Sequence, residues 1–326
     1  MNNKNFFSAV AHPNIAFIKY WGNRDQVLRI PSNGSISMNL SGLETHTTLS
    51  PDPDLNHDTV ILNGKTQTGQ SLLRVQLFMD HLREVSQKKI FFHINSENTY
   101  PASAGLASSS AAFAALAVAG AKAFDLRFSE RQLSQLARRG SGSAARSIPD
   151  GYVEWIPGTS DEESYAFSLA DADHWPLCDC IAIVEETAKE ISSTEGHQLA
   201  ETSPLQEARV ADAKRRLEIC RSAILNKDFD TLAQIIEQDS QILHAVMISS
   251  TPSLIYWNAC SLAIMKFIPK WRKSGIPAAF TLDAGPNVHV ICPIEHADEI
   301  SIKIKAISGV QKVIIASVGN GARLLT

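Results

Sequence analysis

The chain has 326 residues, 44% of them hydrophobic and 20% charged, with a net charge of −4. That length and apolar content suit two packed domains of about 150 residues each. The mildly acidic balance argues against a nucleic-acid or membrane-surface partner and leaves room for a small anionic substrate held by local basic residues.

In chain order, residues 1–14 lack the apolar core of a signal peptide. "HPNIAFIKYWGNRD" (12–25) follows, with Asn14, Lys19 and Tyr20 among apolar neighbours. A strand there puts Lys19 on the face of Phe17, and a lysine so placed either snorkels outward or serves a site. "TVILNGKTQT" (59–68) predicts a hairpin turning at Asn63-Gly64; its Gly-Lys-Thr lacks the upstream glycine of a phosphate-binding P-loop. Leu72, Val75, Phe78, Met79, Leu82 and Val85 recur at helical spacing, so 69–86 is an expected amphipathic helix, with a strand at 90–94 after it.

"PASAGLASSSAAF" (101–113) then sets small residues and three serines ahead of an alanine-rich helix running to Phe124. A helix start leaves backbone N–H groups unpaired and partly positive, so the stretch suits either a phosphate or a tightly packed cap. Segment 111–124, the most apolar, is broken by Lys122 and too short to span a bilayer. Ser129 and Gln132 form a capping box for a helix ending at Gly140, where Arg138 and Arg139 read as a solvated end. "GSGSAARS" (140–147) repeats the hydroxyl-rich theme, now with Arg146.

A strand at 181–184 opens the second half. Helices at 204–225, 229–247 and 253–270 follow, then paired strands "AAFTLD" and "VHVIC" around "AGPN". Asp283 at that strand end is a turn residue or a site residue. A helix at 296–307, a final strand "KVIIASV" and a turn at 319–321 complete the chain. Strands and helices mix in both halves, which predicts an α+β or α/β protein of two domains joined near 175–190. The cysteines, at 178, 180, 220, 260 and 292, are odd in number and scattered, as in a reduced cytoplasmic protein; the single CxC does not call for zinc. His12 and His244 read as packing or hydrogen-bonding residues, and Trp155, Trp175, Trp257 and Trp271 as core or interface aromatics.

"NIAFIKYWGNRD", "PASAGLASSSAAF", "RRGSGSAARS" and "FTLDAGPN" together, in this order, resemble the signature segments of the mevalonate diphosphate decarboxylases of the GHMP kinase superfamily. The resemblance covers positions 11 to about 290. It implies an α+β fold of two-layer sandwiches: a ribosomal-S5-like N-terminal domain (1–183) and a ferredoxin-like C-terminal domain (184–326), with ATP between them. It further implies Mg²⁺, a phosphorylated mevalonate as substrate, and a homodimer.

By the same resemblance Gly105, Ala107, Ser108 and Ser109 hold the ATP phosphates, with Ser108 also facing Mg²⁺, and Ser96 and Asn98 lie near the nucleotide. Asp283 orients or deprotonates the 3-hydroxyl, Lys19 stabilises the transferring phosphoryl group, and Arg146 holds the substrate carboxylate. Asn14, Tyr20, Ser141, Ser143 and Ser193 complete the substrate site.

Two departures bear on the substrate. Most family members read KYWGKRD, and here that second lysine is Asn23; where a methionine is usual the chain has His197. Arg24 or His197 is then expected to compensate for the missing cation. 5-Diphosphomevalonate is the family's usual substrate, and 5-phosphomevalonate, with less charge, becomes its rival. A GHMP kinase that stops at phosphorylation, and a nucleotide-binding protein without turnover, are further alternatives. A mevalonate 3-kinase of this branch is expected to lack the Lys–Asp pair that this chain keeps.

Overall fold

The structure, a computed structural model, describes residues 6–100, 108–186 and 193–325. The chain begins with β1 (Phe7–Ala11) and β2 (Asn14–Ile18), short apolar strands on either side of Pro13. A small hairpin of β3 (Asn23–Asp25) and β4 (Ile30–Pro31) leads to β5 (Ser35–Asn39) and to β6 (Thr45–Pro51), whose burial alternates with the strand period. β7 (Thr59–Leu62) and β8 (Lys65–Thr66) form the expected hairpin. Asn63 and Gly64 have φ of 48° and 73°, the double positive φ of a type I′ turn.

Helix α1 (Gly69–Ser86) matches the predicted span and buries Phe78, Met79 and Leu82. Strand β9 (Phe92–Asn98) starts later and runs longer than the apolar pattern indicated, which brings Ser96 and Asn98 into the sheet. The small-residue stretch opens α2 (Ser108–Ala123), buried along almost its whole length. Helix α3 (Glu130–Gly140) starts at the predicted capping box, in which Ser129 Oγ accepts from the Gln132 N–H. A 3₁₀ turn (Gly142–Ser147) carries Arg146 into β10 (Tyr152–Ile156) and β11 (Tyr165–Ala170).

Strand β12 (Leu177–Ile183) is followed by α4 (Ser193–Leu199), α5 (Gln206–Ala211), α6 (Ala213–Asn226), α7 (Phe229–Ile248) and α8 (Ala259–Lys273). The single helix expected over 204–225 is thus interrupted at Asp212. The helix expected from 253 begins only at Ala259, where Asn258 Oδ1 accepts the Ser261 N–H at 2.9 Å. β13 (Ala279–Thr281) and β14 (Val288–Pro293) pair antiparallel, and α9 (Ala297–Lys305) and β15 (Lys312–Ser317) follow. β15 is not the last strand: after the 319–321 turn, β16 (Arg323–Leu325) pairs with β1, a strand too short to show a periodicity in sequence.

The result is a mixed α+β fold with a six-stranded sheet, β16-β1-β6-β9-β7-β8, and four-stranded sheets β11-β10-β5-β2 and β13-β14-β12-β15. α2 packs on β1 and β6, and its alanines and Phe113 share a core with Leu49, Ile94 and Leu136. β12 is hydrogen-bonded to β14 and β15, so it belongs with the C-terminal strands, while β16 returns the chain to the N-terminal sheet. All five cysteines are free. Cys292 joins the CxC pair in the β12–β14 core, where the three thiols pack as small apolar side chains. Among the described residues no helix is long and apolar enough to cross a membrane.

Candidate active site

β2 ends at Ile18 with both flanks buried, which carries the next residue inward rather than toward solvent. Lys19 is 1% exposed, and its Nζ donates to Asp283 Oδ1 at 2.7 Å. The snorkelling alternative is therefore excluded: an ammonium in an apolar surround needs a counter-ion, and Asp283, just past β13, supplies it. About a third of the Asp283 side chain (31%) remains open. Lys19 keeps further N–H donors beyond the one given to Asp283.

Arg146 lies beside this pair, 3% exposed and over the Trp155 ring. Its Nη1 donates to Ser35 Oγ at 2.7 Å and its Nη2 to Asn14 Oδ1 at 3.0 Å. Asn14 is held in turn, its Nδ2 donating to Ser147 Oγ at 2.8 Å and to the Ser143 carbonyl at 3.1 Å. Burial lowers Arg146 to about 10, against the opposing pull of Asp283, so it stays charged at neutral pH. Its Nε is buried with no hydrogen-bond partner. An orphaned guanidinium donor of this kind suits an incoming carboxylate.

Tyr20, pushed up to about 12 by burial, donates its hydroxyl to Asn23 Oδ1, and the Asn23 amide donates to Gln26 Oε1 at 3.0 Å. A Cβ on Gly142 would sit 2.6 Å from the Tyr20 ring, so only glycine lets the 3₁₀ turn approach it. His197 is sandwiched between Tyr20 and Trp21, with ring centroids 4.1 and 4.6 Å away. Its Nδ1 accepts the Gly22 N–H at 3.0 Å. Burial first, then Arg29, Arg209 and Arg146, lower its pKa to about 3.

The expected compensation for Asn23 is therefore not found at either position. His197 is neutral, and Arg24 is exposed and turned to the carbonyls of Pro31 and Gly158. Two other arginines stand near. Arg29 bonds the Arg139 carbonyl through Nε at 3.1 Å and is the foremost charge acting on both Tyr20 and His197. Arg74 bonds the Gly140 carbonyl at 2.8 Å and lies over Phe113. Neither stood out in the sequence, because each sits in an otherwise ordinary polar or amphipathic context.

A cavity of about 200 Å³ is lined by Thr47, Arg74, Ser96, Asn98, Ser108 and Ser109, with an apolar wall that includes Phe113. Thr47 Oγ1 lies 2.9 Å from Ser96 Oγ, and Thr45 Oγ1 donates to Asn98 Oδ1 at 2.8 Å. Ser109 Oγ is 3.2 Å from Ser141 Oγ, which connects the cavity to the Arg146 side. Gly105 and Ala107 lie outside the described residues. Ser193 opens α4.

Sequence reasoning missed a buried polar clamp on the Lys19 backbone. Asp239 Oδ2 accepts the Lys19 N–H at 2.7 Å. Arg209 Nη2 and Asn33 Nδ2 donate to the Lys19 carbonyl at 2.6 and 3.0 Å. Arg216 Nε closes on Asp239 Oδ1 at 2.7 Å. A signal was present: Asp239 lies on the apolar stripe of α7 with Leu232, Ile235, Ile236 and Leu243. Arg138, expected to be solvated, is fully buried, donating to the Leu28 carbonyl at 2.6 Å and pairing with Asp161.

The mixed α+β fold, with a serine-lined cavity at the start of α2, is that of the GHMP kinase-type mevalonate diphosphate decarboxylase structures it superposes on. The family follows from comparison. The description "Diphosphomevalonate decarboxylase-like N-terminal domain" matches residues 11–166, and "Mevalonate 5-diphosphate decarboxylase C-terminal domain" matches 180–322. The chain belongs to the diphosphomevalonate decarboxylase family. It is 37% identical to the diphosphomevalonate decarboxylase of Candida albicans, over 96% of each chain. It superposes on the Staphylococcus aureus mevalonate diphosphate decarboxylase with a TM-score of 0.92 at 35% identity, covering 98% of each chain. The same score and identity relate it to MDDEF in complex with MVAPP, AMPPCP and magnesium, over 98% of this chain and 99% of that one.

Proposed function

We propose that this chain decarboxylates 5-diphosphomevalonate at the expense of ATP, yielding isopentenyl diphosphate, ADP, phosphate and CO₂. The observation that carries the reading is the 2.7 Å Lys19–Asp283 pair beside an Arg146 whose Nε has no partner. A 3-kinase of this branch is expected to lack the Lys–Asp pair that this chain keeps.

In this reading Asp283 orients the tertiary 3-hydroxyl and accepts its proton as the oxygen bonds to the γ-phosphorus and the bond to ADP breaks. Such general-base work is worth about 10²–10⁴-fold. Lys19 stabilises the charge that develops on the phosphoryl oxygens. The new phosphate then departs with the C–O electrons, while the C–C bond to the carboxylate breaks to close the alkene and release CO₂. Arg146 holds that carboxylate, Asn14 and Ser35 hold Arg146, and Tyr20 with Ser141 and Ser143 shapes the substrate wall. Ser96, Asn98, Ser108 and Ser109 take the nucleotide, with Gly105 and Ala107 as further contacts to its phosphates, and Ser193 reaches the terminal phosphates of the substrate. The hydroxyl donors at the start of α2 are hard oxygens suited to Mg²⁺; with Ser108, the ion would shield charge on the β- and γ-phosphoryl oxygens.

A second reading, 5-phosphomevalonate to isopentenyl phosphate, is favoured by one observation: Asn23 stands where a lysine is usual, and the neutral His197 does not replace its charge. Arg29 and Arg74 are the cations that support the diphosphate reading. The kcat/KM for CO₂ release from each substrate at matched ATP–Mg²⁺ decides. A ratio favouring the diphosphate supports the main reading, and a ratio favouring the monophosphate replaces it with the second. The reading also carries a cytoplasmic location, supported by five free cysteines, and a homodimer, testable by sedimentation.

A further inference from the structure

Helix α7 holds both members of the reactive pair at once. Asp239 Oδ2 takes the Lys19 N–H at 2.7 Å. The next residue, Ser240, accepts the Leu282 N–H through Oγ at 2.9 Å, one residue before Asp283. Ser240 Oγ also lies 3.5 Å from the Leu282 carbonyl. Both side chains are fully buried on a helix face that also buries Leu232, Ile235, Ile236 and Leu243. One turn on, His244 is fully buried and stacks on Trp257 with ring centroids 4.8 Å apart.

Packing alone does not call for these residues. A buried carboxylate with two guanidinium neighbours is costly to desolvate, and apolar side chains of similar volume commonly replace such groups without loss of stability. What the polar pair adds is direction: hydrogen bonds fix the two backbones at set heights on one rigid helix. Lys19 follows β2 in the N-terminal part of the chain and Asp283 follows β13 in the C-terminal part, so no local structure sets their separation.

We infer that Asp239 and Ser240 are positioning residues for the reaction: α7 sets the distance between Lys19 Nζ and Asp283 Oδ1 by anchoring the backbone at each. This inference rests on the decarboxylase reading. It makes the geometry of the pair depend on two adjacent residues that are absent from the lining of the serine-rich cavity. A misplacement of about 1 Å at a reacting group can cost on the order of 10²-fold in rate.

The test is Ser240→Ala, with Asp239→Asn as an independent second variant that keeps an acceptor oxygen but removes the charge. Steady-state CO₂ release is measured with 5-diphosphomevalonate and 5-phosphomevalonate, alongside binding of a non-hydrolysable ATP analogue and thermal unfolding. The expected result is a kcat about 10–100-fold below the parent, with both KM values and analogue affinity within about threefold and the protein folded at the assay temperature. Either variant retaining kcat within twofold, or losing analogue affinity in step with kcat, overturns the positioning role. A parent that releases no CO₂ from either substrate overturns the functional reading itself, a result visible before any variant is compared.

Discussion

Replacing Asp283 with asparagine removes the anion and keeps the side-chain volume. At an effective dielectric near 20, unit charges 2.7 Å apart attract by about 6 kcal/mol. That gross figure shrinks because the Asp283 side chain is 31% open to water and because Lys19 was desolvated to reach it. A net loss of about 1–3 kcal/mol in stability is expected, read as a lowered midpoint in urea unfolding. The catalytic loss is of a different order. Without a carboxylate to take the hydroxyl proton, and with Lys19 left to neutral partners, kcat for CO₂ release should fall by about 10²–10⁴-fold. Single-turnover quench with ATP–Mg²⁺ measures it, while analogue binding should stay near parental, because Asp283 is absent from the lining of the serine-rich cavity proposed for the nucleotide. An Asp283→Asn enzyme within tenfold of the parent would refute the role given to the carboxylate.

Arg146→Gln should lower kcat/KM by about 10²-fold or more, through loss of a charge-assisted contact and two buried acceptors, Ser35 Oγ and Asn14 Oδ1, left short of donors; steady-state kinetics with folded protein checks it, and parental kcat/KM would contradict it. Asn23→Lys should raise the diphosphate-to-monophosphate preference by about 5–10-fold, on the scale of one added partly buried charge interaction; an unchanged ratio means that position 23 does not set the phosphate count. His197 is held neutral with a pKa near 3, below its usual 6.5. The unfolded chain therefore binds the extra proton first as pH drops: stability is full above about 6.5 and declines toward pH 3. At pH 5 this group alone should cost about 2 kcal/mol, and His197→Gln should show a shallower fall between pH 7 and 5 in denaturant unfolding. Equal slopes in the two proteins would count against a buried neutral imidazole.

Local chemistry was legible in the sequence where one short stretch decides the structure. Asn63-Gly64 dictates its own turn, Ser129 and Gln132 dictate their cap, and Ser108 and Ser109 of the serine run line the cavity. What could not be read locally depends on distant partners. Lys19 points inward because Asp283, 264 positions later, meets it. Arg138 is buried because Asp161 and the Leu28 carbonyl receive it. β16 exists because β1 offers it an edge. The neutrality of His197 follows from the rings of Tyr20 and Trp21 and from the Gly22 N–H, none of which its own neighbours in sequence announce. Asp239 is intermediate: its place on the apolar stripe marked it as unusual, but only the tertiary fold gives it the Lys19 N–H.

The most direct test of the central claim is the stoichiometry of a single reaction: ADP, inorganic phosphate and CO₂ counted together from the purified chain with ATP–Mg²⁺ and 5-diphosphomevalonate. One of each per substrate consumed is the predicted result. ADP formed without phosphate and CO₂, with the phosphorylated substrate accumulating, would contradict it and make the protein a kinase.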